Sequence, residues 1–216
     1  MIEDAAQTVG ARDVAGRLAG SRGTIGCFSL HPLKNLSGIG DGGVVTTNDD
    51  ALAQRIRLLR NHGLRSRDEA VMWGWNARLD TVQAAALHCR LTRLAAVTEA
   101  RRRHAASYQA QLGSVVTCPA DRAGEYAVYH LFMIQCDARD ALKQFLAERG
   151  VETKIHYPIP IHLQPCSAAL GYHRGDLPVA EAQAQRILSL PVHQALSEDD
   201  LRCVARSIQE FYQRPS

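Results

Sequence analysis

Lysine is rare in this chain, and one lysine stands where an amine could do chemistry. Among 25 lysine and arginine residues, the only lysines are Lys34, Lys143 and Lys154. Lys34 follows an apolar stretch predicted to be a strand and precedes a glycine-rich run. Arginine would supply surface charge equally well, but its guanidinium stays protonated and cannot act as a nucleophilic amine. The position indicates either a reactive amine or, in the plainer interpretation, a surface lysine.

Further polar side chains stand at the predicted carboxyl ends of strands. Asp4 and Gln7 follow a short N-terminal strand, and Ser29 ends the next one. Ligands of α/β sheets gather at such ends, and the glycines in the run Gly38–Gly43 let the backbone turn sharply or approach a ligand. Their spacing matches neither the P-loop nor the dinucleotide-binding fingerprint. These residues alone predict either a small-molecule site or an N-capping aspartate beside a glycine turn.

Composition excludes several classes of function. The chain has 216 residues, is 46% hydrophobic and 22% charged, and carries a formal charge of +3. That charge is too small to argue for nucleic acid, and aromatic residues do not interleave with the one basic run at 101–104. No apolar run reaches membrane-spanning length, and the acidic start Met1–Asp4 does not resemble a secretory signal. We predict a cytoplasmic protein that binds neither nucleic acid nor membrane.

The cysteines argue against both a metal site and a disulfide framework. The 6 cysteines are widely spaced and include no C-x-x-C pair. We therefore expect no bound metal, and we expect most of the cysteines to be buried, reduced thiols.

The elements that must position these residues form an α/β pattern followed by a smaller α+β pattern. The predicted strands cover 23–30, 43–47, 126–136, 151–157 and 187–192, and the predicted helices cover 50–60, 80–113, 137–150 and a last one that opens at Ser197. Asp80 and Asp137 are expected to cap two of these helices. The predicted domains are a ligand-binding domain over 1–79, a long connecting helix over 80–113 and a small α+β domain over 114–216.

Seven motifs stand together in this chain in a specific order. They are IEDAAQ (2–7), GCFSLHPLKNLSGIGDGGVVTTND (26–49), RIRLLRNHG (55–63), GWNARLDTVQAA (74–85), HYPIPIHLQP (156–165), GDLPVAE (175–181) and LSLPVH (188–193). Together they resemble the DegT/DnrJ/EryC1/StrS family of sugar aminotransferases, which use pyridoxal phosphate. The resemblance covers essentially the whole chain.

The resemblance implies both a fold and a reaction. The fold is α/β: the C-terminal part of the aspartate-aminotransferase-like (fold type I) enzymes, with a partial large-domain sheet and a small α+β domain. The implied reaction is transamination of a nucleotide-linked keto-sugar, a dTDP-3-keto-6-deoxyhexose, by an amino acid donor such as glutamate, in deoxyamino-sugar biosynthesis. The alternative is a non-catalytic, truncated remnant of such an enzyme. The related sugar 3-dehydratases replace the reactive lysine with histidine, so Lys34 disfavours that reaction.

The resemblance also assigns roles to the residues noted above. Lys34 would hold pyridoxal phosphate covalently and carry the proton during the exchange of the amino group. Asp4 would keep the pyridine nitrogen protonated, Gln7 would contact the 3-hydroxyl of the ring, and Ser29 would bind the phosphate. Asn76 would reach the phosphate of a second subunit, which implies a homodimer with shared active sites.

Contacts to the substrate are expected from residues beside the prolines of the second half. His156, Tyr157 and His162 would border the sugar or the nucleotide, and the plainer interpretation is that they pack an irregular segment. Arg78 would bind an anion or form a structural ion pair. Trp73 and Trp75 would face a ring or form interface core.

One departure from the family concerns the start of the chain. The family has a long N-terminal portion that supplies a phosphate-binding loop, the aromatic residue stacked on the cofactor and most of the large-domain sheet. We expect that an internal codon was taken as the start, or that the gene is broken. We also expect the chain alone to be poorly soluble or to bind pyridoxal phosphate weakly, since it lacks the backbone amides of that loop and exposes a sheet edge.

Overall fold

The computed structural model of the chain describes residues 1–214. It divides into two compact units. The first contains Met1–Glu99 and Asp121–His130, and the second contains Ala100–Ala120 and the residues from Leu131 onward. The predicted small domain ends at position 216, and its last two residues lie outside the described residues.

The first unit is built on a three-stranded sheet with the order β1-β2-β3. The strands are β1 (Ile2–Asp4), β2 (Ile25–Ser29) and β3 (Gly43–Thr46). β1 runs parallel to β2, and β3 runs antiparallel to β2. Both β2 and β3 lie inside the predicted ranges, and the β-branched residues that they carry favour extended backbone. Among residues 1–214, β1 pairs on one side only, and Ile2 is 70% exposed.

The helices of the first unit begin with α1 (Asp50–Leu59), as predicted. Its N-cap is Asp49, whose Oδ1 accepts the backbone N–H of Leu52 at 3.0 Å. A short hairpin of β4 (Leu64–Ser66) and β5 (Glu69–Ala70) follows. The chain then enters α2 (Thr81–Leu91).

The predicted single helix over 80–113 is wrong, because the chain forms two helices there. α2 ends at Leu91, and α3 (Leu94–Leu112) begins after a break at Thr92 and Arg93. The hydroxyl of Thr92 donates to the backbone oxygen of Cys89 at 2.8 Å, a local bond that competes with helix continuation. Asp80 occupies the N-cap position of α2 as predicted, although its side chain makes no capping bond.

The second unit contains two paired strands, three helices and the C-terminal part of α3. β6 (Phe132–Gln135) lies antiparallel to β7 (Ile187–Leu190). The helices are α4 (Arg139–Ala147), α5 (Pro178–Arg186) and α6 (Glu198–Gln213), and two 3-10 turns cover Ile161–Leu163 and Pro165–Leu170. The start of the last helix is confirmed, since Ser197 and Asp200 form a capping box at α6.

The fully buried core is concentrated in the second unit. The largest fully buried side chains are Tyr108, Phe132, Leu112, Ile134, Leu142, Leu146, Leu188 and Ile208. All of them belong to the second unit. The first unit buries fewer and smaller side chains, among them Leu30, Leu87 and Val128. Hydrophobic stabilisation, which scales with buried apolar area, is therefore distributed unevenly along the chain.

Three local predictions in the second half need correction. The strand expected over 126–136 is shorter, because Tyr126 pairs instead with Arg12 of the first unit. The N-cap of α4 is Ala138, in the left-handed region at φ 50°, and not Asp137. The segment 151–157 forms no strand, and its one pairing is a bridge between Lys154 and Ser189.

The expectation that most cysteines are buried is also wrong. All of them are free thiols, but only Cys136 is buried. Cys27 and Cys118 are half-buried, and Cys89, Cys166 and Cys203 are exposed. Within residues 1–214, none of the helices is long and apolar enough to cross a membrane.

Candidate active site

The first unit brings two of the predicted site residues to one edge of its sheet. Asp4 ends β1 and Ser29 ends β2, and these strands are parallel neighbours in which Asp4 lies opposite Cys27. The exposed Asp4 carboxylate accepts the backbone N–H of Ala6 at 3.0 Å through Oδ1. Gln7 lies in the turn that follows and is exposed. A carboxylate, an amide and a hydroxyl thus follow the carboxyl ends of adjacent strands.

Lys34 lies in the loop that joins β2 to β3, which we call the lysine loop (Leu30–Gly42). The start of the loop is held by short-range bonds, because the Ser29 hydroxyl accepts the N–H of His31 at 3.3 Å. The N–H of Lys34 then donates to the oxygen of His31 at 2.9 Å. The Lys34 side chain is half-buried, and its amine makes no hydrogen bond or ion pair with the part of the chain that is described. The amine is therefore available to a ligand.

The lysine loop is closed on itself and tied to another segment of the first unit. The N–H of Leu30 donates to the oxygen of Gly42 at 2.9 Å, and the N–H of Gly38 donates to the oxygen of Leu30 at 2.6 Å. Asn35 Nδ2 donates to the oxygen of Val128 at 2.9 Å. Its Oδ1 is buried and has no hydrogen-bond partner among residues 1–214. A buried amide oxygen without a partner is costly unless a further donor reaches it.

Sequence reasoning missed two groups of side chains that hold the loops on either side of β2. The Glu3 carboxylate accepts the backbone N–H groups of Gly20, Arg22 and Gly23. The bond from Gly23, the strongest of these influences, holds the pKa of Glu3 below its usual value. From α2, the side chains of Gln83 and Arg90 reach the lysine loop. Glu3 and Gln83 stand within two of the quoted motifs and Arg90 stands outside them, but the spacing of these residues does not indicate the backbone contacts that they make.

Asn76 and Arg78 lie in a segment of the first unit that runs beside the end of α1. The N–H of Trp75 donates to the oxygen of Leu59 at 2.7 Å, and Asn76 forms a bridge with Asn61. The exposed side chain of Asn76 accepts a hydrogen bond from Arg78 Nε at 2.9 Å. This bond orients the Asn76 amide and uses one donor of Arg78.

The two tryptophans of the chain stand on the same exposed segment. Trp73 is 97% exposed and Trp75 is 68% exposed. Side chains of this size are seldom left in water without a role. The segment therefore presents an apolar surface next to Asn76.

The remaining predicted site residues belong to the second unit. His156 Nδ1 lies 2.9 Å from the hydroxyl of Ser189, and the ring of Tyr157, which is 66% exposed, stands edge-on to that of His156. His162 is 6% exposed, and its Nε2 lies 3.1 Å from Glu181 Oε1. Tyr157 is thus open to a ligand, whereas the His162 ring is already engaged within its own unit. Their contact with a substrate stays a prediction.

The sequence of the chain has relatives along nearly all of its length. The sequence model of the DegT/DnrJ/EryC1/StrS aminotransferase family matches residues 1–209. The chain belongs to this family. The fold agrees with that membership, because the structure of Streptomyces venezuelae DesV in complex with a ketimine intermediate superposes with a TM-score of 0.95 at 39% identity. The superposition covers 100% of this chain and 58% of that one.

Two curated relatives show how much of a family member the chain represents. A pleiotropic regulatory protein of Geobacillus stearothermophilus is 43% identical over 98% of this chain and 58% of its own length. The dTDP-3-amino-3,4,6-trideoxy-alpha-D-glucose transaminase of Streptomyces venezuelae is 39% identical over 99% of this chain and 57% of its own length. The chain thus spans a little more than half the length of the curated relatives that it matches. Its fold is mixed α/β, as is the part of the DesV structure on which it superposes.

Proposed function

We propose that the chain takes part in the pyridoxal-phosphate-dependent transfer of an amino group from an amino acid, such as glutamate, to a nucleotide-linked keto-sugar. The observation that carries this proposal is the placement of a carboxylate, a hydroxyl and an unpaired amine around one sheet edge. The membership of the chain in a family of aminotransferases supports it. The proposed substrate is a dTDP-3-keto-6-deoxyhexose, in line with the name of the Streptomyces venezuelae relative.

The donor set of the first unit fits pyridoxal phosphate. When bound, this cofactor supplies an electron sink that stabilises negative charge on the carbon next to the amino group. The free amine of Lys34 suits a covalent bond to its aldehyde, and the Asp4 carboxylate suits a protonated ring nitrogen. The Ser29 hydroxyl suits the phosphate, and the exposed Gln7 amide suits the ring hydroxyl.

Each side chain then has a defined task. Lys34 would hold the cofactor and would carry the proton that moves when the amino group is exchanged. Asp4 balances the positive charge of the ring, which requires a carboxylate rather than an amide. The Asn76 amide, oriented by Arg78, would bind the phosphate of the pyridoxal phosphate held by a second copy of the chain. The working form would therefore be a homodimer. His156, Tyr157 and His162 border the sugar nucleotide.

The scarcity of lysine makes the role of Lys34 directly testable. The chain is incubated with limiting pyridoxal phosphate and reduced with borohydride, and the modified lysines are counted by peptide mass mapping. We expect Lys34 to be labelled at least about tenfold more than Lys143 and Lys154, because a built site raises the effective concentration of the aldehyde beside its amine. Lys154, which pairs with Glu152 at 2.7 Å, and the exposed Lys143 serve as internal controls. Equal labelling of the three lysines rejects the assignment.

Turnover is tested with the Lys34→Arg variant and a panel of keto-sugar nucleotides. The variant keeps the charge but loses the nucleophile, so the rate should fall by at least about a thousandfold, in the range expected for the loss of a general acid–base group. The panel includes dTDP- and UDP-linked sugars with the keto group at position 3 or 4. A variant that retains a near wild-type rate contradicts the proposed role.

A non-catalytic remnant is the second candidate, because the chain spans only 57% of the transaminase relative. The test compares the chain alone with the chain supplied with the N-terminal segment of a relative. Turnover in the first case supports the enzyme. Selective labelling of Lys34 without turnover in either case supports the remnant.

A further inference from the structure

Helix α2 extends two side chains toward the lysine loop. Gln83 and Arg90 are about two helical turns apart, so they project from the same face of the helix. Both contact the second half of the loop, between Ser37 and Asp41. Within residues 1–214, no hydrogen bond or ion pair joins a side chain of α2 to the first half of the loop, which contains Lys34.

Gln83 uses both ends of its amide on the loop backbone. Its Oε1 accepts the N–H of Ile39 at 3.1 Å, and its Nε2 donates to the oxygen of Asp41 at 3.1 Å. A primary amide has one acceptor and one donor group, and here both are used on either side of Gly40. A Cβ atom at Gly38 would lie 2.7 Å from Gln83 Oε1, so the close approach requires glycine there. The contact is therefore specific in both shape and polarity.

Arg90 adds a second attachment at the preceding residues. Its Nη1 donates to the oxygen of Ser37 at 2.5 Å, to the hydroxyl of Ser37 at 3.0 Å and to the oxygen of Gly38 at 2.9 Å. Charge-assisted hydrogen bonds of this kind are stronger than neutral ones. Together, Gln83 and Arg90 hold the segment Ser37–Asp41 against α2.

We propose that Gln83 is a positioning residue for Lys34. The N–H of Gly38 donates to the oxygen of Leu30, and the N–H of Leu30 donates to the oxygen of Gly42, so these bonds close the loop. Holding the second half of the loop in place therefore also holds Leu30, where the first half begins. Lys34 lies between these points on a long side chain that loses much conformational freedom when its amine is held in place. Gln83 restricts the backbone that carries this side chain and thereby favours the reactive arrangement. The inference rests on the proposed function of Lys34.

The test replaces Gln83 with methionine, which keeps the volume of the side chain and removes both hydrogen bonds. His88→Ala is the matched control, since His88 is an exposed residue of the same helix with no hydrogen bond to the lysine loop. Two properties of the 216-residue chain are measured. One is the exchange rate of the Ile39 amide hydrogen, and the other is the labelling of Lys34 relative to Lys143 by limiting pyridoxal phosphate and borohydride.

In Gln83→Met we expect the Ile39 amide hydrogen to exchange about tenfold faster and the Lys34-to-Lys143 labelling ratio to fall about tenfold. A tenfold change corresponds to about 1.4 kcal/mol of free energy, which is the size expected for the lost hydrogen bonds. His88→Ala should leave both values unchanged. A general loss of stability would alter Lys143 and the melting temperature as well, whereas a positioning role lowers the ratio alone.

The outcomes separate this inference from the proposed function. If the unaltered chain shows no preference for Lys34, the proposed function is rejected. If the preference exists and survives in Gln83→Met, the positioning role is rejected and the proposed function stands. If Ile39 exchange does not change, the hydrogen bonds from Gln83 do not restrain the loop, which also overturns the inference. Gln83→Glu, which keeps the acceptor for Ile39 and loses the donor to Asp41, should give intermediate values for both measurements.

Discussion

Glu181 joins two parts of the second unit through one oxygen. Its Oε1 accepts the N–H of Gly175 at 2.8 Å and lies 3.1 Å from His162 Nε2. The bond from Gly175, followed by the bond with His162, lowers the pKa of Glu181 below its usual 4.5. A carboxylate whose pKa is lower in the folded state stabilises that state whenever it is ionised. The contribution is therefore complete above the unfolded pKa and is lost as the pH falls through the folded value.

We predict that Glu181→Gln removes this pH-dependent contribution. At neutral pH the variant should unfold at a lower temperature than the unaltered chain, and the difference should shrink as the pH is lowered below about 4.5, where the carboxylate of the unaltered chain becomes protonated. Thermal unfolding followed by circular dichroism across this range measures the effect. Glu148→Gln, at the end of α4, is the control. A difference that stays constant with pH contradicts the assignment.

Individual site residues could be predicted to very different extents from the sequence. Lys34 stands out because lysine is scarce here, and Asp4 and Ser29 are the last residues of two short strands. His162 stays a predicted substrate contact, and its contact with Glu181 could not be predicted because Glu181 lies in another element and no local pattern joins the two. Gln83 could not be found, because glutamine is common on helices and its partners are backbone groups of a distant loop.

At the scale of elements, helix starts were more predictable than helix breaks. Ser197 and Asp200 form a capping box within a few residues, so the sequence contains all of its parts. The break between α2 and α3 contains neither glycine nor proline and arises around Thr92. Apolar periodicity continues through it, and the prediction of one helix failed for that reason.

Strand length depended on partners that are distant in sequence. Phe132–Gln135 pairs with Ile187–Leu190, which limits β6 to the residues that β7 can reach. Tyr126 exchanges two backbone hydrogen bonds with Arg12 at 3.0 Å each and so belongs to the first unit. The apolar pattern of 126–136 does not show this change of partner.

The core around β6 supports a prediction about stability. Phe132 is fully buried, and its ring centroid lies 5.2 Å from that of Tyr108. Phe132→Ala should lower the free energy of unfolding of the second unit by about 3–5 kcal/mol, because a large cavity forms in a packed core. Chemical denaturation followed by circular dichroism measures this. Met133→Ala, at the next and less buried position, should cost clearly less, and equal costs would contradict the described packing.

At the scale of the whole molecule, the proposed homodimer predicts that the tryptophans leave water on association. The chain has 2 tryptophans, and Trp73 is the more exposed. Raising the protein concentration should shift the emission maximum to shorter wavelength in step with a doubling of mass in analytical ultracentrifugation. Trp73→Ser should weaken the association, because exposed aromatic residues contribute strongly to interfaces. A doubling of mass without a change in emission would place the interface elsewhere.

Because the fully buried side chains are concentrated in the second unit, a thermal scan reports on the two units unequally. Regions with few buried side chains open at lower free energy than a packed core. The unit that carries Lys34 also buries the smaller side chains, whereas three helices and most of a fourth lie in the other unit. A thermal scan that follows helical signal would thus mainly track the part of the chain that lacks Lys34. Inactivation is expected to come before the melting that such a scan records.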